Sequence, residues 1–437
     1  MSKGQQLYNK AKKIIPGGTQ LLSKRPEMFL PDLWPSYYSK AKGCKVWDLD
    51  GNEYTDCSLM GVGANVLGYA FEPVDKAAKE AIENGGMCTL NAPEEVELAE
   101  LLLEIHPWAD MVRYAKSGGE AMAMAARVAR AYSKKDIVLV CGYHGWHDWY
   151  LAANLVKGDP LASVHLRGLS PVGVPEGLAG SNLIFNYNDI TGFRKLVSEN
   201  EGKIAAIIME PIRNDPPIGD FLKEIRRAAS DRGIVLIFDE ITAGFRVCCG
   251  GSHLFLGTEP DIAVFAKGMT NGYPLAALIG KGNIMSSAQD TFISSTFWTE
   301  RVALAAAIAS VKYFREHETH NHLMKLGRYI QEKWKETATL YKLKIHVGGI
   351  YPLSHFSFDY GDAMACKTYF TQRMLLKGYL AATAFYLSAA HTKEIVDAYF
   401  EVCGEVFQDI SKIKQVGEDI RDYLKGSVCH EGFQRLN

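Results

Sequence analysis

Five short runs of apolar residues, rich in isoleucine and valine and separated by stretches of helical period, constrain this 437-residue chain more than any other feature. They are Ile137–Cys141, Ile204–Met209, 234–238, 262–266 and 275–280. Each is apolar at successive rather than alternate positions, so each calls for burial on both faces of a sheet. Helical periods at Glu94–Ile105, 121–132 and 221–230 lie among the runs, and a longer one at 300–316 closes the region. Strands covered on both sides and joined through helices form a largely parallel sheet in an α/β layer fold. No short internal repeat or low-complexity tract is present, which excludes solenoids and propellers.

The flanks have a different character. Lys45-Val46-Trp47-Asp48-Leu49-Asp50-Gly51-Asn52-Glu53-Tyr54-Thr55-Asp56 alternates apolar and polar residues around Asp50-Gly51, a hairpin signal that predicts a small β-ribbon. Beyond the closing helix, a further helix at 324–341 leads into a looser mixture of strands and helices. The expected organisation is a large domain over 60–320 and a smaller α+β domain over 321–437, with residues 1–59 joined to the smaller one.

Composition narrows the classes of function. There are 48 Lys+Arg against 50 Asp+Glu, a formal charge of −2, so no nucleic acid is expected as the main partner. With 47% hydrophobic and 22% charged residues the chain is globular rather than disordered. The longest apolar runs, 204–209 and 302–311, fall short of the ~18 residues that a membrane helix requires, so no membrane partner is expected. Residues 1–6 lead into the amphipathic stretch 7–15 without an apolar secretory core, and the expected location is cytoplasmic. Nine scattered cysteines with no CxxC spacing read as reduced, mostly buried thiols, the adjacent Cys248-Cys249 included.

Chemistry concentrates at three strand or helix ends, where open α/β sheets place their ligands. Lys116-Ser117-Gly118-Gly119-Glu120 precedes the helix 121–132, and two glycines at a helix start suit an anion such as phosphate. Asp239-Glu240 ends the run 234–238, where a carboxylate could serve a metal, a cationic ring nitrogen or only a backbone amide. Lys267 ends the run 262–266, 28 residues after Asp239. Singly, each has an ordinary structural meaning: a connecting turn, a capped acid, a lysine reaching solvent. Together they supply the three groups that pyridoxal 5'-phosphate demands of a protein. A carboxylate beside the pyridine nitrogen favours its protonated form. A lysine can bind the aldehyde as an imine and, once displaced, carry a proton between substrate and cofactor.

The chain also resembles the class III, fold type I aminotransferases, and within them the glutamate-1-semialdehyde 2,1-aminomutase-like group. The matching segments are Ile15-Pro16-Gly17-Gly18, Val46-Trp47-Asp48-Leu49-Asp50-Gly51, Ser117-Gly118-Gly119-Glu120-Ala121, Tyr143-His144-Gly145, Glu210-Pro211-Ile212, Asp239-Glu240-Ile241-Thr242-Ala243-Gly244-Phe245-Arg246 and Lys267-Gly268. They fall in the family's order over most of residues 8–300. The resemblance implies a mainly parallel seven-stranded sheet in the large domain. It implies Lys267 as the Schiff-base lysine, Asp239 as partner of the pyridinium nitrogen, and Ser117, Gly118 and Gly119 as phosphate ligands. Tyr143 would stack on one face of the ring and Ile241 on the other, with Glu210 near cofactor and substrate and His144 in a supporting or catalytic role. Thr296 would reach the phosphate of a neighbouring subunit, which implies a homodimer. No metal is expected, because His144 and His147 lack a third ligand nearby.

Three departures stand out. Gly119 occupies a position where the family often has a hydroxyl residue; one side-chain hydrogen bond to phosphate is then missing, a loss of ~1–3 kcal/mol unless replaced. Leu21-Leu22-Ser23-Lys24-Arg25 replaces the Ser-Pro-Val-Arg type segment that holds substrate carboxylate in the aminomutases, with Lys24 or Arg25 as substitutes. No counterpart of the aminomutases' acidic residue stands in 379–386. The first expectation is therefore an aminotransferase moving an amino group from an amino acid donor to an aldehyde or keto acceptor. A glutamate-1-semialdehyde aminomutase is the second, and an inactive binding protein of the same fold the third. A dinucleotide-dependent oxidoreductase ranks below these, since no GxGxxG follows a strand. The patch His317-Glu318-Thr319-His320-Asn321-His322 reads as a solvated connection between helices.

Overall fold

The computed structural model describes residues 1–436. It divides into two compact units, one of residues 72–320 and one of residues 1–71 with the chain from 321 onward. The boundary expected between residues 59 and 60 lies inside the latter unit.

The unit 72–320 is built on seven strands: β1 (Met111–Ala115), β2 (Ile137–Cys141), β3 (Asn182–Ile184), β4 (Ile204–Met209), β5 (Val235–Asp239), β6 (Ile262–Phe265) and β7 (Ala276–Gly280). Their order across the sheet is β1-β7-β6-β5-β4-β2-β3. From β3 through β6 the pairs are parallel. β7 runs antiparallel to both neighbours. Only residues 266–275 join β6 to β7, and a parallel return needs a crossover of about a dozen residues or more, so the chain turns back instead.

Successive residues of these strands enter different cores. Val138, Val140, Ala206, Ile208, Val235, Ile237, Val264 and Leu278 pack under the helix Gly118–Ser133 through Ala121, Met122, Ala125 and Ala129. Leu139, Cys141, Ile207, Met209, Leu236 and Phe238 face the other way, onto Phe221, Leu222, Ile225 and Ala229 of the helix Phe221–Arg232. Each large aliphatic side chain buried this way contributes ~1.5–3 kcal/mol, which is why the runs lack polar alternation.

In the other unit, Tyr38–Lys42, Lys45–Asp48 and Glu53–Asp56 form an antiparallel ribbon, and Tyr379–Leu380 adds to it in parallel. Asp48 shapes the tight turn, its Oδ1 accepting from the N–H groups of Asp50 and Asn52 at 2.9 Å, with Gly51 at φ +89°. A second sheet, Ile345–Gly348, Leu353–Phe358 and Ala384–Tyr386, packs Phe356 against Trp334, Phe370 and Phe407.

Two expectations are corrected. The helix expected at 121–132 spans Gly118–Ser133, because Ser117 and Glu120 form a capping box that starts it three residues earlier. The histidine patch is mostly helix rather than connection: Thr319–Leu340 is helical, and the ring of His320 lies over Phe314. All nine cysteines are free thiols; Cys88 is exposed, Cys248 and Cys249 half-buried, and the other six buried. Among the described residues, no helix is long and apolar enough to cross a membrane.

Candidate active site

Register places the acid and the amine together. Asp239, the last residue of β5, stands opposite Val264 of β6, and Lys267 follows β6 by two residues at the same edge. On the other side, Met209 of β4 pairs with both Phe238 of β5 and Cys141 of β2. Glu210 and Tyr143 therefore leave the sheet as neighbours.

Asp239 is 2% exposed. Its Oδ2 accepts from His144 Nδ1 at 2.7 Å and its Oδ1 from the Ile241 N–H at 3.0 Å. Burial raises the carboxyl above its ordinary proton affinity, and the His144 hydrogen bond and charge pull it back down. His144 Nε2 is buried and makes no hydrogen bond within the described residues.

Lys267 has φ +45°, a left-handed conformation that costs a non-glycine residue on the order of 1 kcal/mol and that clusters at functional sites. Its Nζ donates to Thr242 Oγ1 at 2.9 Å. Burial, then the cations of Arg213 and Arg246, lower its pKa from 10.5 to about 8; Glu210 and Asp239 oppose them. An amine so placed is unprotonated far more often than a surface lysine at neutral pH.

Glu210 is buried, and its Oε2 accepts from the Tyr143 N–H at 3.2 Å and from Arg213 Nη1 at 3.0 Å. Gly142, at φ +118°, leaves the room: a Cβ there would lie 2.7 Å from the same oxygen. The Tyr143 ring stacks on His165 with centroids 4.1 Å apart, and burial and then Arg213 push the His165 imidazole down to about 3.

The helix start lies beside this group. Ser117 Oγ is occupied as the N-cap of Glu120, 3.4 Å away, while the Glu120 carboxylate accepts from the N–H groups of Lys116 and Ser117. Gly118 and Gly119 follow as the first two helical residues, whose N–H groups have no acceptor within a helix. Side chains crowd both: a Cβ on Gly118 would meet Ile241 Cδ1 at 2.7 Å, and one on Gly119 would meet His147 Cε1 at 2.9 Å.

Asp239, His144, Ile241, Gly118, Tyr143, Glu210 and Lys267 thus form one constellation. Thr296 does not join it within the chain; it lies in the exposed turn Thr296–Thr299. Sequence reasoning assigned no role to Thr242, Arg213 or His165. Thr242 and Arg213 sit three residues after Asp239 and Glu210, the one signal that could have drawn attention to them. Nothing in the sequence links His165 to Tyr143.

Glu240, the second acid, has a separate function. It is wholly buried, with Oε1 accepting from the His253 N–H and Nδ1 and Oε2 from Ser252 Oγ. Trp108 Nε1 donates to His253 Nε2 at 3.0 Å, which fixes the ring proton on Nδ1. Burial works against ionisation here, but the bonds from His253 and Ser252 hold the carboxyl below its ordinary pKa.

Residues 32–350 match the family model of the class III aminotransferases. The chain belongs to that family. As a class III aminotransferase it resembles a glutamate-1-semialdehyde 2,1-aminomutase of Methanococcoides burtonii, 31% identical over 423 residues that cover 92% of this chain and 98% of that protein. It resembles a 3-aminobutyryl-CoA aminotransferase of Cloacimonas acidaminovorans at 30% identity, covering 94% and 98%. Its fold matches the FumI protein of Sphingopyxis sp. MTA144, solved with pyridoxal phosphate, at a TM-score of 0.86 and 25% identity, covering 97% and 99%. It is a fold type I enzyme of amino transfer, and the seven-stranded sheet is that fold's large-domain sheet.

Proposed function

We propose that the chain is an aminotransferase that passes an amino group from an amino acid donor to the carbonyl carbon of a second small molecule. Pyridoxal phosphate is the cofactor, and the residues present fit it: a buried acid, a depressed-pKa amine and two helix-start N–H groups gather at one edge of the sheet. When bound, the cofactor supplies an aldehyde and an electron-accepting ring.

Each nearby residue then has a part. Asp239 Oδ2 or Oδ1 holds a proton on the ring nitrogen, and His144 fixes the carboxylate's orientation through its 2.7 Å bond. Lys267 Nζ anchors the aldehyde and, when free, takes and returns the proton at the substrate carbon. Tyr143 and Ile241 cover the two ring faces, and the Gly118 and Gly119 N–H groups bind phosphate, with Ser117 setting their direction as the cap. Glu210 lies between Tyr143 and Arg213 on the substrate side. Thr296 reaches the phosphate of a second copy, so the working form is a homodimer. A cytoplasmic location accords with nine free thiols. In this reading 72–320 is the cofactor-binding domain and the other unit the small domain.

The observation that carries the proposal is the placement of Asp239 and Lys267 at the ends of adjacent strands, close enough for the Asp239 charge to act on the Lys267 amine. A second reading, intramolecular amino exchange, is favoured by the likeness to glutamate-1-semialdehyde aminomutases. One experiment separates them. An amino donor should bleach the yellow cofactor absorbance and release its keto acid, and an added carbonyl acceptor should restore the colour and appear as a new amine. Restoration only by a substrate that holds both groups would replace the first reading with the second, and failure to bleach would sink both.

A further inference from the structure

The side chain missing at Gly119 has a replacement from another element. The Nδ1–Cε1 edge of His147, on the loop after β2, occupies the place a side chain at 119 would fill: a Cβ there would lie 3.0 Å from Nδ1 and 2.9 Å from Cε1. Loop and helix start meet at backbone distance, since a Cβ on Gly145 would come within 3.0 Å of Gly119 Cα. Trp146 stacks on the imidazole with centroids 4.6 Å apart and holds its plane. His147 Nδ1 is itself buried, and among the described residues it has no hydrogen-bond partner. A buried polar nitrogen without a partner is costly, and one beside two helix-start N–H groups is placed for an anion.

We propose that His147 is a phosphate ligand of the cofactor, its Nδ1–H standing in for the hydroxyl that the family often carries at position 119. The inference rests on the proposed cofactor chemistry but concerns a residue that chemistry does not require. Burial lowers the proton affinity of the imidazole, Glu120 and Asp148 oppose it, and a phosphate dianion beside the ring would oppose it further; Nδ1 presents its N–H to the phosphate in either charge state. It also explains how the chain tolerates glycine at 119. The ring fills the volume, and the phosphate keeps three donors from its own chain, two backbone N–H groups and one side chain, beside the Thr296 proposed from a second copy.

The test compares two ligands of the cofactor-free full-length chain, pyridoxal phosphate and pyridoxal, which lacks the phosphate. Equilibrium dissociation constants give their affinity ratio. In His147→Ala the preference for the phosphorylated ligand should fall about 10–100-fold, the effect of losing a hydrogen bond to a charged group. His147→Gln, which keeps a donor, should retain most of the preference. The double variant Gly119→Ser/His147→Ala, with a hydroxyl returned to the space vacated, should recover it to within about threefold of the wild type. The phosphorus resonance of the bound ligand should shift in His147→Ala and move back in the double variant. An unchanged ratio in His147→Ala, equal weakening of both ligands, or no recovery in the double variant overturns the inference. If the wild-type chain bound no pyridoxal phosphate, the proposed function itself would fall, an outcome distinct from all of these.

Discussion

At the scale of single residues, Lys267 decides most. Its pKa of about 8 means that the unprotonated amine, the form that attacks an aldehyde, becomes dominant near that pH instead of near 10.5. The rate of covalent cofactor uptake should rise about tenfold per pH unit below 8 and then level off, as followed by absorbance in stopped flow. A rise continuing to pH 10 would show an unperturbed lysine. Since Arg213 contributes to the depression, Arg213→Gln should move the midpoint upward. The same shift links to stability: between pH 8 and 10.5 the unfolded chain holds this proton and the folded chain does not, so this group's contribution to stability rises with pH across that window. In the role proposed for Asp239, Asp239→Asn would take from the ring nitrogen the negative charge that keeps it protonated. Turnover should fall by at least about 100-fold with the melting temperature little changed or raised, because the variant removes a buried charge. Activity within a few-fold of the wild type would contradict the role.

At the scale of elements, the glycines at the helix start separate packing from function. Gly145 combines φ +106° with the backbone of Gly119 3.0 Å from a Cβ position, and neither can yield. Gly145→Ala should cost ~1–3 kcal/mol, read as a lower melting temperature of the cofactor-free chain. On Gly118 the added carbon meets side-chain atoms of Ile241, Cδ1 at 2.7 Å and Cγ1 and Cγ2 at 3.3 Å, which can shift where backbone cannot. Gly118→Ala should cost less than about 1 kcal/mol in stability yet weaken cofactor binding, since Ile241 would be pushed from the ring face proposed for it. Equal effects of the two substitutions on stability and binding would contradict this contrast.

The elements also show what could be read from the chain. Asp239 and Lys267 were legible because β5 and β6 are continuous apolar runs, and a polar residue at the end of such a run can lie only at the sheet's edge. The early start of the helix Gly118–Ser133 was hidden because glycine is a poor helix former, and the reciprocal Ser117 and Glu120 bonds outweigh that preference. The stacking of Tyr143 on His165 joins residues 22 apart through a loop without periodicity, so no pattern encodes it. His147 was weighed for metal binding with His144, but the two point elsewhere: one to Asp239, the other to Gly119.

At the scale of the whole molecule, exposed apolar side chains bear on the proposed dimer. Leu90 is 79% exposed, Phe292 85% and Phe297 64%. The Arg301 N–H donates to Gly86 O, which ties the chain just after Phe297 to the chain just before Leu90. Such side chains on a folded surface favour a partner. Light scattering should give twice the 48.4 kDa of one chain, and Phe297→Asp should yield monomers that bind cofactor weakly, since Thr296 would no longer be supplied across the interface. A fully active monomer would refute the shared site.

One feature of the fold bears on how the chain is made. Residues 72–320 form a unit complete in itself, whereas residues 1–71 belong with the chain from 321 onward: Tyr379–Leu380 completes the ribbon at Glu53–Asp56, and the His391 imidazole bonds the Asp56 carbonyl. During translation the first segment leaves the ribosome long before its partner exists. The unit 72–320 can assemble meanwhile, and residues 1–71 are among the last to find their place.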